Sequence, residues 1–321
     1  MIGRSFNDTF KYEPAFNIWT NTIDIFKKSD FTLGNLECTI TDSTEKWPNK
    51  VFNYKLDPKY KYILKRPNFK HLNIANNHIL DYNIVGMKDT MRNLDLVNIK
   101  WSGAGLNKDM ANGPVIHNIK GTMIGIISFA DHYDYWAAIR NKPGINYVNI
   151  SEDYSHILEH IKKIKSECDI LIFSIHHGPN YVDEVPMRTK EFFHDLLSAG
   201  TDIIHGHSAH HVLPIEKIGG VGNKYIFYSF GDFIDDYAVD PTYRNDLSFI
   251  AGLQIENKKI IKLNVYPTKI IIDREQEYMK PYVRLLNKEE ADYNNVISRL
   301  KINKIMIGSS RINKKYKLVY S

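Results

Sequence analysis

The stretches ILIFSIHHGPNY (170–181) and DIIHGHSAHH (202–211) each run from a short apolar segment straight into histidines. The apolar segments have the length and β-branched content of buried strands. Seven of the thirteen histidines fall between His176 and His211. Imidazole is the commonest protein ligand for divalent transition metals. Histidines at the ends of neighbouring strands therefore predict a metal site and point to hydrolytic chemistry.

Working outward, further buried strands are predicted at FTLGNL (31–36), HLNIA (71–75), MIGIISF (123–129) and YIFYSF (225–230). Between them Met87, Met91 and Leu94, then Ile157, Ile161 and Ile164, then Phe192, Phe193, Leu196 and Leu197 recur at helical spacing, with Gly200 a C-cap. Alternation of strand and amphipathic helix predicts an α/β sheet. Beyond Asp246, LSFIAGLQIE and KKIIKLNVYPTKIIID are joined by ENKK, which predicts an antiparallel hairpin at the sheet's edge. Residues 285–321 read as a helix and a basic tail, so the chain divides into a domain over 1–255 and an appendage over 256–321.

The composition, 43% hydrophobic and 25% charged, is that of an ordinary globular protein. No apolar run approaches the roughly 18 residues of a membrane span, and MIGRSFNDTFKYEP lacks the apolar core of a signal peptide. A cytoplasmic location is the default expectation, with membrane association if the natural N-terminus lies upstream. Cys38 and Cys168 follow no CxxC spacing and read as free thiols. From Glu256 onward 15 Lys and Arg face 7 Asp and Glu, whereas the remainder carries 27 against 30. Aromatic residues do not interleave with the basic ones as a stacking platform requires, so no nucleic acid partner is expected.

Each predicted strand is followed by residues able to bind metal or move protons. They are Asn35 and Glu37; Asn76, Asn77, His78 and Asp81; Asp131 and His132; His176 and His177; His205, His207, His210 and His211; and Asp232. In an open α/β sheet such strand-end residues converge in one crevice. GHxxH after a strand lets the backbone turn at glycine while the imidazoles face one side. In ANNHxxD an amide oxygen can ligate a metal while the next imidazole faces substrate. His71, His117, His156, His160 and His194 lie on helical patterns or away from strand ends and read as structural. At most one of His177, His205 and His211 is expected to ligate.

GNLECTITDS (34–43), LNIANNHILDYNIVGMKDTMRNL (72–94) with GAG (103–105), IHHGPNY (175–181), DIIHGHSAHHVLPIE (202–216) and YSFGDFIDDY (228–237) together resemble the CapA-type proteins of poly-γ-glutamate capsule synthesis. Those proteins belong to the calcineurin-like metallophosphoesterase superfamily. The resemblance spans about Met1 to Leu253 and implies an α/β, four-layer αββα sandwich with a dinuclear centre at the strand ends. By matching position it implies Glu37 as a bridging carboxylate, and Asn77, His176, His207 and His210 as the other ligands. His78 becomes the acid for the leaving group, with Asp81 orienting it. Asn35, Asn76, His177 and Asp232 line the site. The donor set suits two divalent transition ions, Mn, Fe or Zn, rather than Ca²⁺. Such a pair, roughly 3.5–4 Å apart, activates water and clamps a phosphoryl or acyl oxygen.

Two departures accompany the resemblance. The family's first strand, ending in a metal-binding Gly-Asp, has no counterpart before MIGRSF, and Asp8 sits in a polar segment with no strand before it. Ser208 stands in GHSAH where many relatives have His, which leaves His207 and His210 to serve. The expected function is a metal-dependent hydrolase acting on a phosphoester or an anionic polymer. The alternative is a catalytically weakened polymer- or metal-binding accessory protein of capsule synthesis.

Overall fold

The computed structural model describes residues 1–219, 223–274 and 277–301, and the backbone of 306–307 and 318–320. The rest of the basic tail expected after Leu300 lies outside the described residues. Two sheets form the bulk of the fold among the described residues. In the smaller, Ile170–His176 pairs in parallel with Thr122–Ala130 on one side and Ile203–His207 on the other. Lys224–Phe227 follows in parallel, and Val115–Ile119 and Ile215–Ile218 close the edges antiparallel. Every residue of Ile170–His176 is buried, as expected of a parallel strand covered on both faces.

The larger sheet runs Lys280–Leu285, Lys259–Asp273, Leu247–Glu256, Leu318–Tyr320, Thr32–Asn35, Phe69–Asn73 and Lys100–Ser102. The hairpin Leu247–Glu256/Lys259–Asp273 is antiparallel as expected. It is not the edge, because Lys280–Leu285 pairs along its outer strand. The position between Thr32–Asn35 and Leu247–Glu256 is taken by Leu318–Tyr320, parallel to the former and antiparallel to the latter.

Three apolar layers define an αββα sandwich. Leu33, Ile126, Ile172, Ile203, Phe227 and Phe249 fill the space between the sheets. On the outer face of the smaller sheet, Phe129, Leu171 and Phe173 pack on Ile157 and Ile161 of helix Ser155–Lys165 and on Phe192 and Leu196 of helix Met187–Ala199. Gly200, at φ 129°, ends the second of these helices. The outer face of the larger sheet is covered by Phe6 and Phe10 of helix Ser5–Tyr12 and by Met87, Met91 and Leu94 of helix Asn83–Leu96. Asp8 is exposed on the first of these helices. Both cysteines are free thiols, and burial pushes that of Cys38 up to about 12. No helix among the described residues is long and apolar enough to cross a membrane.

Candidate active site

Register decides which strand-end residues meet. His176 and His207 are paired neighbours at the carboxyl ends of adjacent parallel strands. Asn35 and Asn73 are paired in the facing sheet. Asn73 Nδ2 reaches across the sandwich to His207 Nε2 at 3.2 Å, so the two strand-end clusters form one site.

The turn after Phe69–Asn73 is built by its own side chains. Asn73 Oδ1 accepts the Ala75 N–H at 3.1 Å, and Asn76 Oδ1 accepts the His78 N–H at 3.0 Å, both Asx-type turns. Asn76 Nδ2 donates to the Leu36 carbonyl at 2.8 Å and to Asn35 Oδ1 at 3.1 Å. Asn76 thus fastens the ANNH turn to the loop that carries Glu37. Asn35 Nδ2 in turn donates to Glu37 Oε2 at 3.2 Å.

Next comes an acid–base unit. His78 Nδ1 lies 2.7 Å from Asp81 Oδ2, which also accepts the Tyr54 N–H at 2.7 Å. Asp81 Oδ1 pairs with Lys50 Nζ at 2.7 Å. With Nδ1–H given to the carboxylate, His78 Nε2 is left to accept or donate a proton elsewhere. Burial holds the Lys50 ammonium below its usual range, with Asp81 acting in the opposite sense.

Across the site, the GHSAH turn holds two non-glycine residues at positive φ, Ser208 (121°) and His210 (59°), conformations that persist only where surroundings enforce them. Ser208 Oγ donates to the Gly178 carbonyl at 2.8 Å. His210 Nδ1 lies 2.8 Å from Asp232 Oδ1, which aims the other ring nitrogen away from the carboxylate. Burial lowers the His210 pKa, but Asp232 and then Glu37 outweigh it and raise the value to about 9. His176 and His207, by contrast, are held neutral, chiefly by burial. Their Nδ1 atoms lie 2.9 Å apart.

His177 turns toward helix Met187–Ala199, with Nε2 2.8 Å from Thr189 Oγ1 and Nδ1 2.5 Å from Asp131 Oδ2. His211 lies against the carbonyls of Ala209 and Val182. The structure adds one feature that sequence reasoning did not assign, Lys50. It also gives partners to Asp131, expected at a strand end: its carboxylate spans His177 and His132 (Nδ1 at 2.6 Å), while the His132 ring lies 5.1 Å from that of His176. Burial raises the Asp131 pKa, but the two histidines prevail and hold it well below the usual carboxylate range.

Beneath the site runs a buried polar seam. Ser174 Oγ contacts His205 Nδ1 at 2.8 Å and His207 Nε2 at 3.2 Å. His71 Nε2 contacts Ser102 Oγ at 2.8 Å, Ser102 meets Ser128 across the sheets at 2.6 Å, and His71 Nδ1 meets His117 Nε2 at 3.1 Å. Burial keeps His71 neutral, and it lowers His205 to about 3 and His117 to about 4.

No group of three or more His, Cys, Asp or Glu side chains among the described residues is closed into a preformed metal cage. Three ligand atoms implied by the resemblance are nonetheless orphaned and buried: Glu37 Oε1, Asn77 Oδ1 and His176 Nε2. Buried polar atoms without partners are rare in folded proteins. Glu37 Oε1 and His176 Nε2 lie 3.8 Å apart, close to the spacing of two ligands each roughly 2.1 Å from one ion.

The family model described as bacterial capsule synthesis protein PGA_cap matches residues 1–237. The chain belongs to this family. Among PGA_cap relatives it is 31% identical over 239 residues to the PGA biosynthesis protein CapA of Bacillus subtilis, covering 74% of this chain and 61% of that protein. It is 30% identical over 270 residues to a probable polyglutamine synthesis accessory protein of Mycobacterium tuberculosis, covering 78% and 70%. The PGA_cap chain therefore spans about three fifths of the length of the Bacillus relative. Among solved structures, a hypothetical protein from Thermus thermophilus aligns with TM-score 0.43 and 12% identity over 82% of this chain and 90% of that one. A putative 5'-nucleotidase from Staphylococcus aureus aligns with TM-score 0.40 and 15% identity over 76% and 44%.

Proposed function

We propose that this protein is a metal-dependent hydrolase of the phosphoesterase kind, acting in the synthesis of a capsule polymer such as poly-γ-glutamate or another anionic chain. The observation that carries the reading is the set of orphaned atoms, Glu37 Oε1, Asn77 Oδ1 and His176 Nε2, gathered at the strand ends. Two divalent transition ions, Mn, Fe or Zn, would be held by Glu37, Asn77, His176, His207 and His210. When bound, they supply an activated water and positive charge for a phosphoryl oxygen.

The protein's own groups do the rest. Burial keeps His176 and His207 in the neutral form that ligation needs. Asp232 orients the His210 ring, as carboxylates do for metal-bound imidazoles. Asp81 fixes His78 so that Nε2 can carry a proton to the leaving oxygen. Lys50 balances the Asp81 charge.

A second reading, a non-catalytic accessory role, draws on the engagement of both His207 nitrogens by His176, Asn73 and Ser174. Metal content separates the two. The hydrolase should hold close to two ions per chain and cleave bis-p-nitrophenyl phosphate. His78→Ala should abolish cleavage and keep the metal. A protein with no metal, or one ion weakly held, would decide for the accessory role.

A further inference from the structure

An open cleft of about 1190 Å³ lies directly over His78, Asn77 and His210. Its walls are aromatic: Trp47, Phe52, Tyr133, Tyr135, Tyr181 and Tyr237 all line it, and no Asp or Glu among the described residues does. Its lysine and arginine are already committed, Lys50 to Asp81 and Arg4 to Asp236, and His210 is paired with Asp232. Phe52 is 61% exposed and Tyr135 51% exposed. Large aromatic faces left in solvent beside a polar site mark a contact surface.

The wall is held rigidly against the acid. The Trp47 N–H donates to the Asp81 carbonyl at 2.8 Å, Lys50 pairs with Asp81 Oδ1, and the Tyr54 N–H donates to Oδ2. Residues 47–54 are thus pinned at three points to the residue that orients His78. Trp47 stacks on Tyr135 at 6.1 Å and 28°, and the Tyr54 ring lies 4.6 Å from that of His78. His78 lines this cleft, so a group that takes a proton from His78 would extend into it.

We propose that the cleft selects phosphate esters whose leaving group carries a ring, a sugar or a nucleoside, and that Trp47, Phe52 and Tyr135 form the stacking subsite. The inference rests on the hydrolase reading. Aromatic faces attract ring C–H groups and π faces. They carry a negative quadrupole that disfavours carboxylates. The cleft offers no uncommitted cation to a polyacid among the described residues. It therefore fits a cyclic leaving group better than a bare polyglutamate chain. The charge of the ligand stays at the phosphoryl end, over Asn77 and His210.

The test is calorimetric titration of Mn²⁺-loaded full-length protein with AMP, glucose 1-phosphate, glycerol 2-phosphate, inorganic phosphate and tetraglutamate. At least one ring-bearing ester should bind about tenfold or more tightly than glycerol 2-phosphate, the effect of one stacked ring. Phe52→Ala and Tyr135→Ala, both exposed, should each reduce that preference and leave inorganic phosphate affinity unchanged. AMP and glucose 1-phosphate report separately on the nucleoside and the sugar. Equal binding of all three esters, tighter binding of tetraglutamate, or variants that weaken phosphate as much as the ring-bearing ester would overturn the inference while the hydrolase reading stands. Failure to take up any of Mn²⁺, Fe²⁺ and Zn²⁺ would overturn both.

Discussion

Asp81→Asn tests the clamp at His78. Asn keeps the shape, and its amide oxygen can still accept the Tyr54 N–H that Asp81 Oδ2 accepts at 2.7 Å. What it loses is the negative charge 2.7 Å from Lys50 Nζ, in a place where the Lys50 side chain is only 9% exposed and Asp81 fully buried. Leaving a buried charge without its partner typically costs about 3–5 kcal/mol. An independent bound comes from the proton: Lys50 can escape by becoming neutral, which from an ordinary pKa costs roughly 5 kcal/mol at pH 7 and roughly 2 kcal/mol at pH 9. The sign follows. In the variant the unfolded lysine binds a proton that the folded one gives up, so stability rises with pH across this range.

Urea unfolding of Asp81→Asn, Lys50→Met and the double variant measures this directly. Asp81→Asn should lose about 3–5 kcal/mol at pH 7, roughly 4–8 °C in Tm. The loss should shrink by pH 9. The double variant should recover about 2 kcal/mol or more relative to additivity. A loss below about 1 kcal/mol, or strict additivity, would show that Lys50 and Asp81 are not coupled.

Three further outcomes are expected. Acid should weaken the protein early, because His71 and His205 are neutral when folded but protonate near pH 6.5 when unfolded; each should withdraw on the order of 2 kcal/mol by pH 4.5, and a urea midpoint unchanged from pH 7 to 4.5 would contradict this. In metal-free protein the His210 resonance should titrate near 9, and Asp232→Asn should bring it down. The stability His210 contributes is present below about pH 6.5 and is lost as pH rises through about 9, so the variant should flatten that slope. In Gly206→Ala, the added Cβ would sit 2.6 Å from the carbonyls of Phe227 and Tyr228, and thermal unfolding should register a loss of about 1–3 kcal/mol, with His207 displaced along with its strand.

The elements that were legible in sequence are those whose order is local. Ile170–His176 and Ile203–His207 announce themselves as apolar runs, and helix Met187–Ala199 by its spacing and its terminal Gly200. The place of Glu37, Asn77, His78 and Asp81 just past strand ends was legible because short motifs fix it. Lys50 was not, since KWPNKVFNY has no periodicity and its partner is 31 residues away in sequence. His71 and His117 were assigned a structural role, but their contact depends on how one sheet faces the other. The edge strand Lys280–Leu285 lies just before the segment expected to be helical, and the helix itself begins at Ala291.

The polar seam between the sheets has a mechanical consequence. Apolar side chains hold two sheets together but resist sliding weakly, since one hydrocarbon contact is much like the next. The bonds His71–His117, Ser102–Ser128 and Asn73–His207 cross that interface and tolerate little displacement. They act as a key in a joint. Glu37 and Asn77 come from one sheet, His176 and His207 from the other, so the key sets the gap between the two halves of the site. Exchanges among the surrounding isoleucines and phenylalanines should leave that gap intact, whereas a lone Ser128→Ala, out of reach of any ligand, should loosen it.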